Sequence, residues 1–299
     1  MTTEMLSGGV LLIDKPSGYT SFDVIAVLRG LLHEKRLGHT GTLDPMATGV
    51  LPVLIGKATG ASDILPIDEK TYRAEFVLGK STDTQDITGK VLAESPNPVS
   101  EVEILDKLPQ FRGAIQQLPP MYSAVSVGGK RLYDLARQGV SVERKPREVT
   151  VFELKLEAYD EAERAGTLLI SCSKGTYIRT IISDLGDSLG VGGCMTALRR
   201  ISAHGFKIED CIPLEDLRAS GNALEIATSR IIPTDKLFEC YKALRLSEAQ
   251  ARMYKNGVKL DAKRVRGAKE GETYRIYGDE FLGLCRVTDG EVRIVKNFW

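Results

Sequence analysis

Asp44 is the only carboxylate between Lys35 and Lys57. It stands in the run Arg36-Leu37-Gly38-His39-Thr40-Gly41-Thr42-Leu43-Asp44-Pro45-Met46-Ala47-Thr48-Gly49-Val50-Leu51, which also carries one histidine, three threonines and three glycines. Pro45 biases Asp44 away from the α region, so the carboxylate is held on an extended or turn backbone. Gly38, Gly41 and Gly49 let the chain turn tightly or approach a ligand closely. An Asp-Pro turn between two elements accounts for the same residues, and the stretch by itself does not separate the two readings.

The rest of the composition narrows the chemistry. Three histidines (33, 39, 204) are scattered, which leaves a Ser-His-Asp site little to draw on. Five cysteines (172, 194, 211, 240, 285) form no C-x-x-C pair and join no His/Cys cluster, which argues against zinc and against a disulfide framework. No G-x-x-x-x-G-K-[ST] run is present, so a phosphate-binding hydrolase is disfavoured. Carboxylate, arginine and tyrosine side chains are left to carry any reaction.

Tyr72 and Arg179 are the other two side chains of interest. Lys70–Gly79 alternates, with Tyr72, Ala74, Phe76 and Leu78 on one face, as in a half-buried strand. Ile178, Ile181, Ile182, Leu185 and Leu189 form a helical stripe from near Thr176 to Gly190. Arg179 lies one step off that stripe, in the first turn, where a cation opposes the helix dipole by roughly 0.3–1 kcal/mol. Either it points into solvent or it is committed to an anion that outweighs the dipole.

The elements that must position these residues follow from pattern. Gly9–Ile13 reads as a buried strand ending in a turn at Asp14–Gly18. Thr20 with Asp23 resembles a capping box ahead of an apolar stripe, Val24 to Leu32. Val50–Ile55 is a strand, Lys80–Lys90 a polar loop, and Ser100 with Glu103 opens a short helix ending near Pro109. Val149–Tyr159 and Thr167–Ser173 read as a strand pair, Pro213–Leu217 as a short helix, and 219–228 as a polar stretch of low order. Leu246–Asn256 is helical, followed by short strands Thr273–Tyr277, Phe281–Val287 and Glu291–Val295 joined by Gly-Asp and Asp-Gly turns.

With 299 residues, the chain can bury a large core, and its 40 basic and 40 acidic residues cancel. The distribution is more telling. Gly128–Glu148 has six Lys/Arg against three acids, and Arg252–Arg275 has eight against three, enough for local phosphate binding. No apolar run approaches a membrane span and no signal-peptide pattern opens the chain, so a cytoplasmic protein is expected. The segment 118–139 pairs prolines and glycines with a short basic helix, Lys130–Gln138, and reads as an excursion from the sheet.

Seven motifs in order resemble those of the bacterial TruB-type tRNA pseudouridine synthases: Asp14-Lys15-Pro16-x-Gly18, Gly38-His39-x-Gly41-x-Leu43-Asp44-Pro45-x-Ala47-x-Gly49, Lys70-x-Tyr72, Thr82-Asp83-Thr84-x-Asp86-x-x-Gly89, Pro119-Pro120-x-Tyr122-Ser123-Ala124, Gly175-Thr176-Tyr177-Ile178-Arg179 and Leu198-Arg199-Arg200. The likeness spans most of residues 8–240. It implies an α+β fold with a mixed, largely antiparallel sheet flanked by helices as the catalytic domain, 1–240. It also implies an RNA-clamping insertion at about 118–148 and a small β-barrel-like PUA-type domain, 241–299.

The activity implied is isomerisation of uridine 55 in the tRNA T loop to pseudouridine, by a monomer needing no cofactor, metal, guide RNA or protein partner. Asp44 then matches the catalytic aspartate, acting as nucleophile or as base on the sugar. Arg179 matches its ion-pair partner, expected to lower the Asp44 pKa and keep it ionised. Tyr72 matches the tyrosine that stacks on the base and aids loss of the carbon-5 proton. His39 would fill the vacated stack, and Tyr177 and Leu198 would line the base pocket. Asp86 matches a polar pocket residue, and Lys15 would hold the turn or meet a phosphate. Lys130, Arg131, Arg137, Arg144, Lys145 and Arg147 would grip the T arm. Two other readings, a guide-dependent relative and an RNA-binding or chaperone protein without catalysis, are opposed by the chain's length and by the intact Asp44, Tyr72 and Arg179.

Overall fold

The computed structural model describes residues 8–123, 125–140 and 142–299, so Ala124 of the Pro-Pro-x-Tyr-Ser-Ala motif lies outside the described residues. The main sheet takes β1 (Gly9–Lys15), β2 (Thr48–Ile55), β3 (Lys70–Leu78), β4 (Gly113–Gln117), β5 (Arg147–Asp160), β6 (Ala165–Cys172) and β7 (Gly193–Ala203). Their spatial order is β1-β2-β7-β3-β6-β5-β4, with the short edge strand Ile212–Pro213 beside β1. Neighbours run antiparallel except β2 with β7 and β1 with that edge strand. The sheet is therefore mixed and largely antiparallel.

Helices cover it where apolar stripes demand burial. α1 (Ser21–Leu32) starts on a capping box between Thr20 and Asp23, which satisfies two of the helix's free N–H groups. Val24, Ile25 and Leu28 then pack on Leu11 and Ile13 of β1, along with α5 (Leu214–Ala219) and α6 (Ala223–Arg230). α2 (Glu101–Lys107) opens on the expected Ser100–Glu103 box. α4 (Ile178–Ser188) lays Ile178, Ile181, Ile182 and Leu185 on the Tyr72, Ala74, Phe76, Leu78 face of β3. The insertion carries α3 (Leu132–Arg137), pinned by buried Leu132 and Leu135.

The C-terminal unit is a five-stranded sheet: β8 (Lys242–Arg245), β9 (Leu260–Asp261), β10 (Thr273–Tyr277), β11 (Phe281–Thr288) and β12 (Glu291–Asn297), ordered β8-β10-β11-β12-β9. α7 (Glu248–Lys255) packs on it, and the unit has its own core around Tyr254, Tyr274, Ile276 and Val287. A second cluster joins it to the main sheet: Leu284 and Phe298 meet Val10, Leu12, Leu54 and Phe238. Rings of Phe238, Phe281 and Phe298 pack together there at centroid distances of 5.6–6.5 Å, with Phe281 stacked on both others. That apolar contact fixes the small unit against the back of β1 and β2.

Three elements differ from expectation. Gly193–Ala203 is a central strand, not an unassigned stretch; its Arg199 and Arg200 disguise it. The supposed low-order stretch 219–228 contains most of α6, with Ala223 and Ala227 facing inward. The polar loop 80–90 is the front of a hairpin, Lys80–Thr82 pairing with Val91–Glu94.

Candidate active site

The Asp44 loop is fastened from below. Lys15 is fully buried at the end of β1, and its ammonium donates to the carbonyls of Pro16, Tyr19 and Pro45. Gly18 N–H also donates to the Pro45 carbonyl (2.9 Å). Ser21, on the first turn of α1, accepts from Leu43 N–H at 2.8 Å. Leu43 and Pro45 are thus held on both sides of the carboxylate, and Ala47 N–H closes the turn onto the Asp44 carbonyl at 3.0 Å. Lys15 is a brace for this loop; zero exposure and three carbonyl partners remove it from phosphate contact.

At the loop's far end Gly49 has φ +105°, and a Cβ there would lie 2.2 Å from the Arg200 carbonyl. Glycine is required because β2 and β7 approach in parallel at Gly49 and Arg200. Gly41 (φ +94°) lies in the cleft wall, whereas Gly38 has neither a positive φ nor a crowded Cβ and makes room for nothing.

Arg179 faces the carboxylate from the first turn of α4. Only 5% exposed, it bonds through all three nitrogens: Nε to Asp44 Oδ2 (3.0 Å), Nη1 to Asp86 Oδ2 (3.3 Å) and the Thr84 carbonyl (2.8 Å), and Nη2 to the Tyr122 carbonyl (3.0 Å). The anion that outweighs the helix dipole is a pair of carboxylates. Asp86 is therefore behind the arginine, not on the cleft wall. Buried, it also accepts from Thr84 Oγ1 (2.8 Å), Thr88 N–H (3.0 Å) and Thr88 Oγ1 (2.5 Å). The strand-like bridge of Asp86 to Met195 fixes the loop that carries it.

The cleft in front of Asp44 has a volume of about 270 Å³. Asp44, Tyr72, Tyr177, Arg179 and Leu198 all line it, together with Lys70 and Ser123. Tyr177 is the residue before α4, and the buried Gln117 at the end of β4 clasps its backbone: Oε1 accepts the N–H at 2.7 Å and Nε2 donates to the carbonyl at 3.0 Å. Sequence reasoning missed Gln117, because nothing local marks a glutamine whose partner lies 60 residues away. His39 is not in the cleft wall: it ends the short strand Leu37–His39 against β2, and its Nδ1 is buried without a hydrogen-bond partner.

Electrostatics revise one expectation. Burial raises the Asp44 pKa, and the nearby Asp86 charge adds to it. Arg179, the strongest opposing influence, lowers it as expected but does not prevail. Burial likewise raises the Tyr72 phenol, with the Arg200 guanidinium opposing. An un-ionised phenol suits a stacking surface better than a base for the carbon-5 proton. Lys15 is pushed down to about 8, chiefly by burial.

The basic residues of the insertion divide. Lys130, Arg131, Arg137, Lys145 and Arg147 are exposed. Arg144 turns inward instead and donates to the Pro119 carbonyl at 2.9 Å. It tethers the insertion and is not free for RNA. No ion pair among the described residues neutralises Lys130, Arg137, Lys145 or Arg147. In the C-terminal unit Arg252, Lys255 and Lys259 are instead paired with Glu248, Glu280 and Glu291. No helix of the described residues is long and apolar enough to cross a membrane.

Comparison with known proteins gives consistent matches. Residues 29–178 match the model of the TruB family pseudouridylate synthase N-terminal domain, and residues 179–239 the model of the tRNA pseudouridylate synthase B C-terminal domain. The tRNA pseudouridine synthase B of Clostridium acetobutylicum is 41% identical over 291 residues, 96% of this chain and 98% of that protein. That of Lactobacillus delbrueckii subsp. bulgaricus is 42% identical over 268 residues, 86% and 89% of the two chains. Among solved structures, a Cbf5-Nop10-Gar1 complex superposes with a TM-score of 0.74 at 27% identity, covering 100% of this chain and 88% of that one. An H/ACA RNP bound to a substrate RNA containing 2'-deoxyuridine gives 0.70 at 26%, covering 97% and 85%.

Proposed function

The chain belongs to the TruB family of pseudouridylate synthases, and on that premise we propose that it isomerises uridine 55 in the T loop of tRNA to pseudouridine. The observation that carries the reading is Asp44, presented to a base-sized cleft between Tyr72 and an arginine bonded through all three of its nitrogens. In this reading the target nucleotide leaves its stack at a cost of a few kcal/mol. Stacking on Tyr72 returns about 1–3 kcal/mol, with Tyr177 and Leu198 closing the sides of the cleft.

Two routes balance. In the first, an Asp44 oxygen bonds to C1′ as the C1′–N1 bond breaks, its electron pair leaving with uracil as an anion. After the ring turns, C5 attacks C1′ and releases the carboxylate. In the second, Asp44 removes the C2′ proton, uracil departs from a glycal, and the proton returns after C5 bonds to C1′. In both, the C5 proton is lost and N1 gains one, so neither an oxidant nor a cofactor is consumed.

We place the division between catalytic and PUA-type domains at 240/241, which leaves Phe238 on one side of the aromatic junction and Phe281 and Phe298 on the other. Lys130, Arg137, Lys145 and Arg147, exposed on the insertion and without an ion pair among the described residues, support a T-arm clamp, with affinity that falls with salt. In this reading the protein acts as a monomer without guide RNA or partner protein; what supports tRNA as the substrate is that the relatives at about 40% identity are named tRNA pseudouridine synthases, whereas the Cbf5 complex stands at 27%. The test is tritium release from an unmodified tRNA transcript labelled at uridine carbon 5, using the protein alone. Release that is lost by several orders of magnitude in Asp44→Asn, with tRNA affinity retained, is the expected result; no release from the wild type overturns the proposal.

A further inference from the structure

Three cations are buried near the catalytic loop: Lys15 and Arg200 at 0% exposure, behind it, and Lys70 at 9%, on the cleft lining. No carboxylate is bonded to any of them among the described residues. Lys15 is satisfied by three carbonyls. Arg200, from the inward face of β7, donates Nε to the Val50 carbonyl (2.7 Å) and Nη2 to the Gly41 carbonyl (3.3 Å); its Nη1 has no partner of good hydrogen-bond geometry, and the guanidinium also acts on the Tyr72 hydroxyl. Lys70 begins β3 on the same face as Tyr72, lines the cleft, and its Nζ makes no hydrogen bond or ion pair among the described residues. A Cβ on Gly41 would lie 3.0 Å from Lys70 Nζ and 3.9 Å from Arg200 Nη1, so the two cationic groups stand side by side next to the catalytic loop, Lys70 on the cleft and Arg200 behind it.

Buried charge without a counter-ion costs several kcal/mol, and a fold retains it when something else is gained. Here the cations also act on one another: Arg200 and burial both disfavour the charged form of Lys70. Thr40 Oγ1 and His39 Nδ1, on the same loop, are further buried groups without partners. Ser123 Oγ, also on the cleft lining, is a further buried group without a partner, but Lys70 is the cation of the cleft lining that has neither a hydrogen bond nor an ion pair among the described residues, whereas Arg179 bonds through all three of its nitrogens.

We propose that Lys70, with the Arg200 guanidinium buried behind it, forms an oxyanion subsite at the cleft wall that binds an anionic oxygen of the RNA substrate. The proposal rests on the pseudouridine synthase reading above. The oxygen has two possible sources of one chemistry: a phosphate flanking the target nucleotide, or a carbonyl oxygen of the uracil anion released when C1′–N1 breaks.

The experiment uses the full chain with Lys70→Gln and Lys70→Arg, and a T-arm RNA hairpin as probe. Binding is measured on an Asp44→Asn background and single-turnover tritium release on the wild-type background. If the source is a phosphate, Lys70→Gln weakens binding about tenfold and lowers the salt slope by roughly 0.7–0.9. A methylphosphonate at the flanking position then weakens wild-type binding but adds nothing in Lys70→Gln. If it is the uracil anion, binding is unchanged and the single-turnover rate falls at least tenfold. In either case Lys70→Arg restores most of the loss, which a packing defect would not allow. Lys70→Gln within twofold of wild type in both measurements overturns the subsite. A wild type that binds the hairpin but releases no tritium overturns the proposed function instead, and the binding arm still reads the subsite.

Discussion

Replacing Lys15 by methionine separates two things the buried amine does. Its pKa falls from 10.5 to about 8, mainly because burial disfavours the ammonium, with Asp44 opposing and Arg200 reinforcing. The folded chain therefore holds this proton less tightly than the unfolded chain. Below pH 8 both states are protonated and the burial penalty is fully present. Between about pH 8 and 10.5 the unfolded state binds more protons, so stability rises with pH through that window. The drop of 2.5 units (10.5 − 8) corresponds to at most about 3 kcal/mol, less what solvent screening removes.

Lys15→Met abolishes that titration but leaves the carbonyls of Pro16, Tyr19 and Pro45 without their donor, at about 1–3 kcal/mol for each one left unpaired. Urea unfolding of wild type and variant at about pH 7.5 and about pH 10.5 reads the first effect. The stability of the wild type relative to the variant increases by up to about 3 kcal/mol between the two conditions. Single-turnover tritium release at neutral pH reads the second: Pro45 adjoins Asp44, and a loosened loop costs on the order of tenfold to a hundredfold in rate. A pH-independent stability difference together with unchanged turnover would falsify the brace.

Other substitutions probe the arginine and the insertion. Asp86→Asn keeps the shape of the loop but removes a charge that raises Asp44; the acid limb of kcat/KM moves to lower pH while the rate drops, and an unmoved limb rules out the coupling. Arg179→Lys preserves the charge but loses the fork that reaches Asp44, Asp86 and two carbonyls, so turnover falls about a hundredfold or more, nearly as far as in Arg179→Ala; if lysine restores most of the activity, charge alone is what matters. Reversing charge at Lys130, Arg137, Lys145 and Arg147 together weakens tRNA binding and flattens its salt dependence, whereas Arg144→Glu acts on thermal stability, and an unchanged salt slope in the first variant removes the clamp.

The sequence carried most of this arrangement wherever the signal was local. Alternation in Lys70–Gly79 placed Tyr72 on the buried face, the two capping boxes fixed where α1 and α2 begin, and the isoleucine stripe set α4 with Arg179 in its first turn. What was illegible depends on partners far along the chain. Arg200 looks like half of a charged surface pair, yet alternation on a central strand sends Arg199 out to Asp14 at 2.7 Å and Arg200 fully inward. Lys15, Gln117 and Asp86 all act through contacts with segments 30 or more residues away, and Arg144 is an exposed cation in any one-dimensional reading. α6 escaped notice because eight polar-rich residues without a side-chain cap give no start signal.

The balance at Asp44 bears on what its arginine is for. A cation placed merely to keep the acid ionised would be expected to win against burial, and here it does not. What Arg179 supplies is direction: Nε holds Oδ2, while Oδ1 has no hydrogen bond among the described residues and stays available to the cleft. Partial desolvation in turn makes the carboxylate more basic than a fully solvated aspartate, which favours it both as a base and as a nucleophile. An arginine bonded on its other side to Asp86, Thr84 and Tyr122 cannot follow the carboxylate if it moves, so the pair behaves as a rigid mount. The second carboxylate serves that mount twice, by fixing the guanidinium and by drawing off part of its charge, which leaves Asp44 oriented without being quenched.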